Sequence, residues 1–120
     1  MLNYNCVLKD ELKHNGLSVR EISPVMKLNL RGKKREFFTT IGKNLNMILP
    51  TKANTSSVSE KLTSIWLSPD EWMIVSNETI QKDNNKYELE ESLYNNITKT
   101  NLGAVTDVTD QFVLLELKGE

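Results

Sequence analysis

An α+β fold, with two helices on one face of an antiparallel sheet, follows from three features of the sequence. Residues 25–31 alternate apolar and polar side chains with a period of two, the mark of a half-buried strand. Ser64 to Ser76 reads S-I-W-L-S-P-D-E-W-M-I-V-S, two short apolar runs around a compact polar turn, which is the pattern of a hairpin. Phe37, Ile41 and Leu45, and later Leu89, Leu93 and Ile97, recur at four-residue spacing and mark the buried stripes of two helices.

Taken in order, Met1 to Leu17 has sparse apolar residues (Leu2, Tyr4, Val7, Leu8, Leu12) without a clean period and reads as a loose helix or an arm. The domain organisation expected is an N-terminal arm over residues 1–16 and a single α+β domain over 17–120. Pro24 suits the start of the first strand, where Met26, Leu28 and Leu30 point one way and Lys27, Asn29 and Arg31 the other. Gly32 ends that strand, and the first helical stripe follows, with Phe38 beside it. Gly42 weakens this helix by roughly 1 kcal/mol relative to alanine and leaves its end open. The basic run Lys33-Lys34-Arg35 falls where cations oppose the helix dipole. The helix is therefore expected to start near Glu36, or to have an acidic surface close by.

Met47-Ile48-Leu49 dips toward the core, and Pro50 to Ser59 is a polar loop without a glycine-rich phosphate cradle. After the hairpin and a polar connection, Asn77 to Asn84, the pair Asn85 and Glu88 resembles a capping box that opens the second helix. Asn101 and Gly103 supply stop signals. The last element, Ala104-Val105-Thr106-Asp107-Val108 through Phe112 to Leu117, is one bulged strand or two strands joined by a short turn. Strand, helix, strand, strand, helix, strand is the βαββαβ order of a ferredoxin-like sandwich. That topology serves many functions and names none.

Composition bounds the chemistry. The chain has 120 residues, one cysteine (Cys6), one histidine (His14) and a net charge of −1. A lone cysteine excludes an internal disulfide framework and fits a reducing compartment. With no membrane-span pattern and no signal-peptide core, a cytoplasmic location is expected. The charge is uneven: residues 1–52 hold ten Lys/Arg against four Asp/Glu, and residues 53–120 hold five against twelve. The halves are thus +6 and −7, and can face each other, water or a partner. One Cys and one His exclude thiolate and multi-histidine metal sites and leave no Ser-His-Asp arrangement to assemble. Asp70 and Glu71 read as turn residues, and Asp107 and Asp110 as partners of their own backbone at a strand break. The first strand lacks the exposed aromatics on which RNA bases stack, and the second half is acidic, so nucleic acid is not the expected partner. No catalytic, cofactor-binding or metal-binding residue is assigned.

Three stretches together carry a resemblance: L-P-x-x-x-N-T (Leu49, Pro50, Asn54, Thr55), I-W-L-S-P-D-E-W-M-I-V, and T-D-V-T-D followed by L-x-L-x-G (Leu115, Leu117, Gly119). The chain resembles the gamma subunit of heterotetrameric sarcosine oxidase, a family related to the folate-binding aminomethyltransferase fold. The likeness covers Leu49 to Gly119 well and Leu17 to Arg31 loosely. It implies a small non-catalytic subunit of an oxidoreductase complex that demethylates sarcosine to glycine, transfers the one-carbon unit to tetrahydrofolate and forms hydrogen peroxide. The implied partners are the larger alpha, beta and delta subunits, on which FAD, FMN, NAD and tetrahydrofolate would sit, with none in this chain. The same kinship leaves a stand-alone folate-binding or one-carbon-transfer protein as the alternative. Ser68 stands where the family often has glycine. Family members also continue beyond the point where this chain stops, so a natural short form or a fragment is expected, prone to pair with another copy.

Overall fold

Asn15 and Gly16 both adopt left-handed backbone conformations, φ 46° and 82°. Two positive φ values in a two-residue loop make the tight turn whose twist suits a hairpin. It folds Leu12–His14 (β1) back on Leu17–Glu21 (β2). The structure, a computed structural model, describes residues 12–22, 25–77, 87–112 and 114–119. Cys6, most of the expected arm and Asn85 lie outside the described residues. The described end of the arm is the strand β1.

β3 (Lys27–Gly32) leads into α1 (Arg35–Leu45). The helix thus begins at Arg35, next to Glu36 as expected, with Lys34 as an uncapped N-cap and Lys33 before it. It runs through Gly42 and ends where Asn46 turns left-handed at φ 54°. A short strand, β4 (Ser56–Val58), precedes the hairpin of β5 (Leu62–Ser68) and β6 (Glu71–Ser76). α2 (Glu88–Leu93) continues directly into a π-helical turn, Tyr94–Thr98, closed by Lys99 N–H donating to the Tyr94 carbonyl at 3.0 Å. At the start of the described helix a reach-back comes from Glu90, whose Oε1 accepts the Tyr87 N–H at 3.4 Å. Asn101, at φ 61°, supplies the stop, while Gly103 opens the next strand. The last expected element is two strands, β7 (Gly103–Asp107) and β8 (Leu115–Lys118), split by a 3-10 turn at Thr109–Gln111.

Two antiparallel sheets result. The five-stranded one has the order β4-β5-β6-β3-β7, and the three-stranded one β1-β2-β8. Without the added edge strand β4, the large sheet has the ferredoxin-like order, with the two helices between its strands in sequence. Across it, Leu28 faces Ile74 and Asp107, and Leu30 faces Trp72 and Val105. This helix-covered face and the two stripes form one core. Met26, Leu28, Leu30, Phe37, Ile41, Trp72, Ile74, Leu93 and Ile97 are all 0% exposed. Each such side chain contributes roughly 1.5–3 kcal/mol of burial.

Trp72 is the centre of that core. Its ring stacks on Phe37 at 5.9 Å and meets Phe38 edge-on at 5.3 Å. Its indole N–H, which needs a partner once buried, donates to the Pro50 carbonyl at 2.7 Å. Phe37 lies on a floor without side chains, because Gly32 and Gly103 are register partners directly beneath it. A Cβ on Gly32 would come within 2.3 Å of the ring. No helix among the described residues is long and apolar enough to cross a membrane.

Candidate functional site

Two of the stretches that carry the resemblance, the 49–55 loop and the hairpin, come together, while Leu115 to Gly119 lies in or beside the small sheet. The Pro50 carbonyl receives Trp72, and the Thr55 carbonyl accepts the Trp66 N–H at 3.0 Å, so the loop 49–55 is fastened to the hairpin at both tryptophans. In the turn, Ser68 Oγ donates to Asp70 Oδ1 at 2.9 Å and the Asp70 carbonyl accepts the Gly32 N–H at 3.1 Å. Glu71, expected in the turn, is instead the first residue of β6. Its Oε2 accepts Asn29 Nδ2 at 2.7 Å and Arg31 at 3.2 Å on the face of the sheet opposite the helices. Trp66 is partly buried against the core and lies opposite Trp72.

The T-D-V-T-D stretch encloses the most unusual side chain of the molecule. Alternation places Lys27 on the polar side of β3, yet it is only 4% exposed. Its ammonium donates to the Val25 and Thr109 carbonyls at 3.3 and 3.4 Å. The Thr109 hydroxyl accepts the Lys27 backbone N–H at 3.0 Å and donates to Asp107 Oδ1 at 2.6 Å, which also accepts the Thr109 N–H at 3.0 Å. Asp107 thus satisfies its local backbone, as an aspartate at a strand break does. Burial pushes the Lys27 amine below its ordinary value, and the nearby Asp110 and Asp107 pull it back up. A buried amine among carboxylates can be a reactive group. Here two backbone carbonyls occupy it, that of Val25 before β3 and that of Thr109 in the 3-10 turn. It holds the fold together where the chain passes between the two sheets. Nothing in the sequence marked it, because a lysine at an alternating polar position reads as solvated.

The other expected chemistry is dispersed. His14 is exposed at the end of β1, with its Nε2 3.0 Å from Asn15 Nδ2. Among the described residues no group of three or more His, Cys, Asp or Glu comes together. Lys33, Lys34 and Arg35 stand exposed at the start of α1, and none of them forms an ion pair among the described residues.

What the surface does offer is uncovered apolar area. On the helix-free face of the large sheet, Val58 is 70% and Leu67 41% exposed, with Ile65 and Met73 half-buried between them. On the small sheet, register places Val19 beside Leu117 and Glu21 beside Leu115 on one face. Leu17, Leu115 and Leu117 are 48%, 50% and 68% exposed there. The other face carries Arg20 bound through two nitrogens to Glu116 at 2.7 and 3.2 Å, with Lys118 3.6 Å from Glu116. The Arg20 hydrogen bonds hold the Glu116 carboxyl below the usual carboxylate range. Exposed apolar surface of this extent marks sites of association. The Asn15-Gly16 pair was the signal that could have disclosed the small sheet in advance.

No family model matches the chain, and a search of curated proteins found no match. A search of solved structures found a chain of the heterotetrameric sarcosine oxidase from Corynebacterium sp. U-96, determined in complex with pyrrole 2-carboxylate. The TM-score is 0.73 at 20% sequence identity, over 91% of this chain and 53% of that one. This similarity shows a shared fold. The chain spans about half the length of the chain it matches.

Proposed function

We propose that this chain acts as a small, non-catalytic subunit in a multi-subunit assembly of the sarcosine oxidase type. The observation that supports the reading best is the structural likeness to a chain of that heterotetramer over nearly the whole length of this one. The shares covered make the matched chain less than twice as long as this one, which fits the small gamma-type subunit implied by the sequence motifs. In this reading FAD, FMN, NAD and tetrahydrofolate belong to the larger alpha, beta and delta subunits. The chain contributes surface: the helix-free face of the large sheet around Val58 and Leu67, and the exposed basic run Lys33-Lys34-Arg35 at the start of α1. An apolar patch rimmed by charge is the usual anatomy of an interface.

The test is co-expression with the larger subunits of a sarcosine oxidase, followed by affinity capture. Co-elution is expected, with peroxide formed from sarcosine only when the larger chains are present. Val58→Asp with Leu67→Lys should reduce capture while leaving the fold intact, since both side chains are exposed. A flavin absorption band on the purified chain, or peroxide formation by the chain alone, would overturn the reading. Micromolar binding of tetrahydrofolate by the isolated chain would replace it with a folate-binding protein.

A further inference from the structure

We infer that β8 is a self-pairing edge, through which two copies of this chain join their small sheets into one six-stranded antiparallel sheet. β8 ends the order β1-β2-β8, so among the described residues its outer edge carries no strand. An open edge is a template for another strand, and its own sequence decides which one fits.

The backbone fixes which groups are available. The Ile22 N–H donates to the Leu114 carbonyl at 2.8 Å, and the register of β2 with β8 continues from there in single steps. In an antiparallel pair hydrogen-bonded positions alternate, so Leu114, Glu116 and Lys118 direct their backbone groups to β2. Leu115, Leu117 and Gly119 direct theirs outward. A two-fold partner can then centre on Leu115, Glu116, Leu117 or Lys118, and centring on Leu115 sets Glu116 opposite Leu114 and Lys118 opposite Phe112, with no ion pair. Centring on Glu116 sets two carboxylates opposite each other, and centring on Lys118 sets two ammonium groups opposite each other, both unfavourable. Centring on Leu117 sets each Glu116 opposite the second copy's Lys118, which gives two ion pairs of opposite sign. It also brings the outward N–H and C=O of Leu117 together with their own counterparts. Charge therefore selects one register and one partner, a second copy of this chain.

The apolar face supports the same register. Leu117, 68% exposed, meets its equivalent at the two-fold axis. Leu115 falls opposite Gly119 of the second copy. Leu17 already leans over Gly119, since a Cβ there would lie 3.1 Å from its Cδ1. Leu115 of one copy and Leu17 of the other therefore close over the glycine, and both are about half exposed in the single chain, at 50% and 48%.

The inference is independent of the larger subunits, and its test uses the full 120-residue chain alone, by sedimentation velocity across a concentration series. A monomer–dimer equilibrium is expected. Leu117→Pro removes an outward N–H that β2 does not use, so it should yield a folded monomer that melts where the wild type does at high dilution. Lys118→Glu places like charges opposite each other twice and should weaken dimerisation about tenfold. Lys61→Glu, an exposed lysine away from the edge, should leave it unchanged. A wild-type chain that stays monomeric overturns the inference and leaves capture by larger chains untouched. A dimer that survives Leu117→Pro, or that responds equally to Lys118→Glu and Lys61→Glu, overturns it as well.

Discussion

The two sheets of this molecule are built from the same alternation of apolar and polar residues and have opposite fates. In the five-stranded sheet, the Met26, Leu28, Leu30, Trp72 and Ile74 face is sealed by α1 and α2 to zero exposure. In the three-stranded sheet, Leu17, Leu115 and Leu117 occupy equivalent alternating positions and remain about half exposed or more. The difference lies in what covers them. Each strand of the large sheet lies close in sequence to a helix or hairpin that returns across it, whereas the small sheet pairs a hairpin near one end of the chain with a strand near the other. A covered face gives a self-sufficient core, and an uncovered one gives a surface that gains stability only through association.

This contrast can be broken most forcefully at Trp72. Trp72→Ala removes a fully buried ring stacked on Phe37 and edge-on to Phe38, and should cost about 3–5 kcal/mol in a denaturant titration. A silent substitution would move the ring's role from the core to an interface. Next comes Gly103→Ala. Its methyl would lie 2.3 Å from the Arg31 carbonyl oxygen and 2.8 Å from the Phe37 ring, contacts that require the backbone to move, for a loss of about 1–3 kcal/mol. Gly16→Ala acts on the small sheet alone. No atom lies within 4 Å of the added methyl, so the cost is the positive φ of 82°, about 1 kcal/mol. Amide exchange should quicken across β1, β2 and β8 while β3 and β6 keep their protection.

The smallest effect concerns pH. Because burial lowers the Lys27 amine in the folded state, the unfolded chain holds a proton that the folded chain has released in the window between that lowered value and the ordinary 10.5. Stability from this residue therefore rises as pH climbs through that window and is flat below it. Lys27→Met should abolish the rise, which paired denaturation curves at increasing alkaline pH would reveal.

Much of the large sheet was legible because its signals are local. Period two over 25–31, four-residue spacing in both helices and the Pro69-Asp70 turn each act within a dozen residues. The small sheet was not, since Val19 opposite Leu117 is a pairing across most of the chain that no window can see. Its one local signal, Asn15-Gly16, sits between strands too short to show alternation. The burial of Lys27 was illegible for the same reason, as one of its two carbonyl partners is that of Thr109, 82 positions away. Glu71 was misplaced by one element because an acidic residue after Pro-Asp looks like part of the turn, whereas its bonds to Asn29 and Arg31 make it a strand residue.

Lys27 has a mechanical consequence. The ammonium bonds to the carbonyl of Val25, just before β3, and to that of Thr109, in the 3-10 turn after β7. One side chain thus ties the approach to β3 to the turn that follows β7, its neighbour in the sheet. A pull on the turn after β7 is therefore shared at Thr109 with the first residue of β3, the strand that lies between β6 and β7.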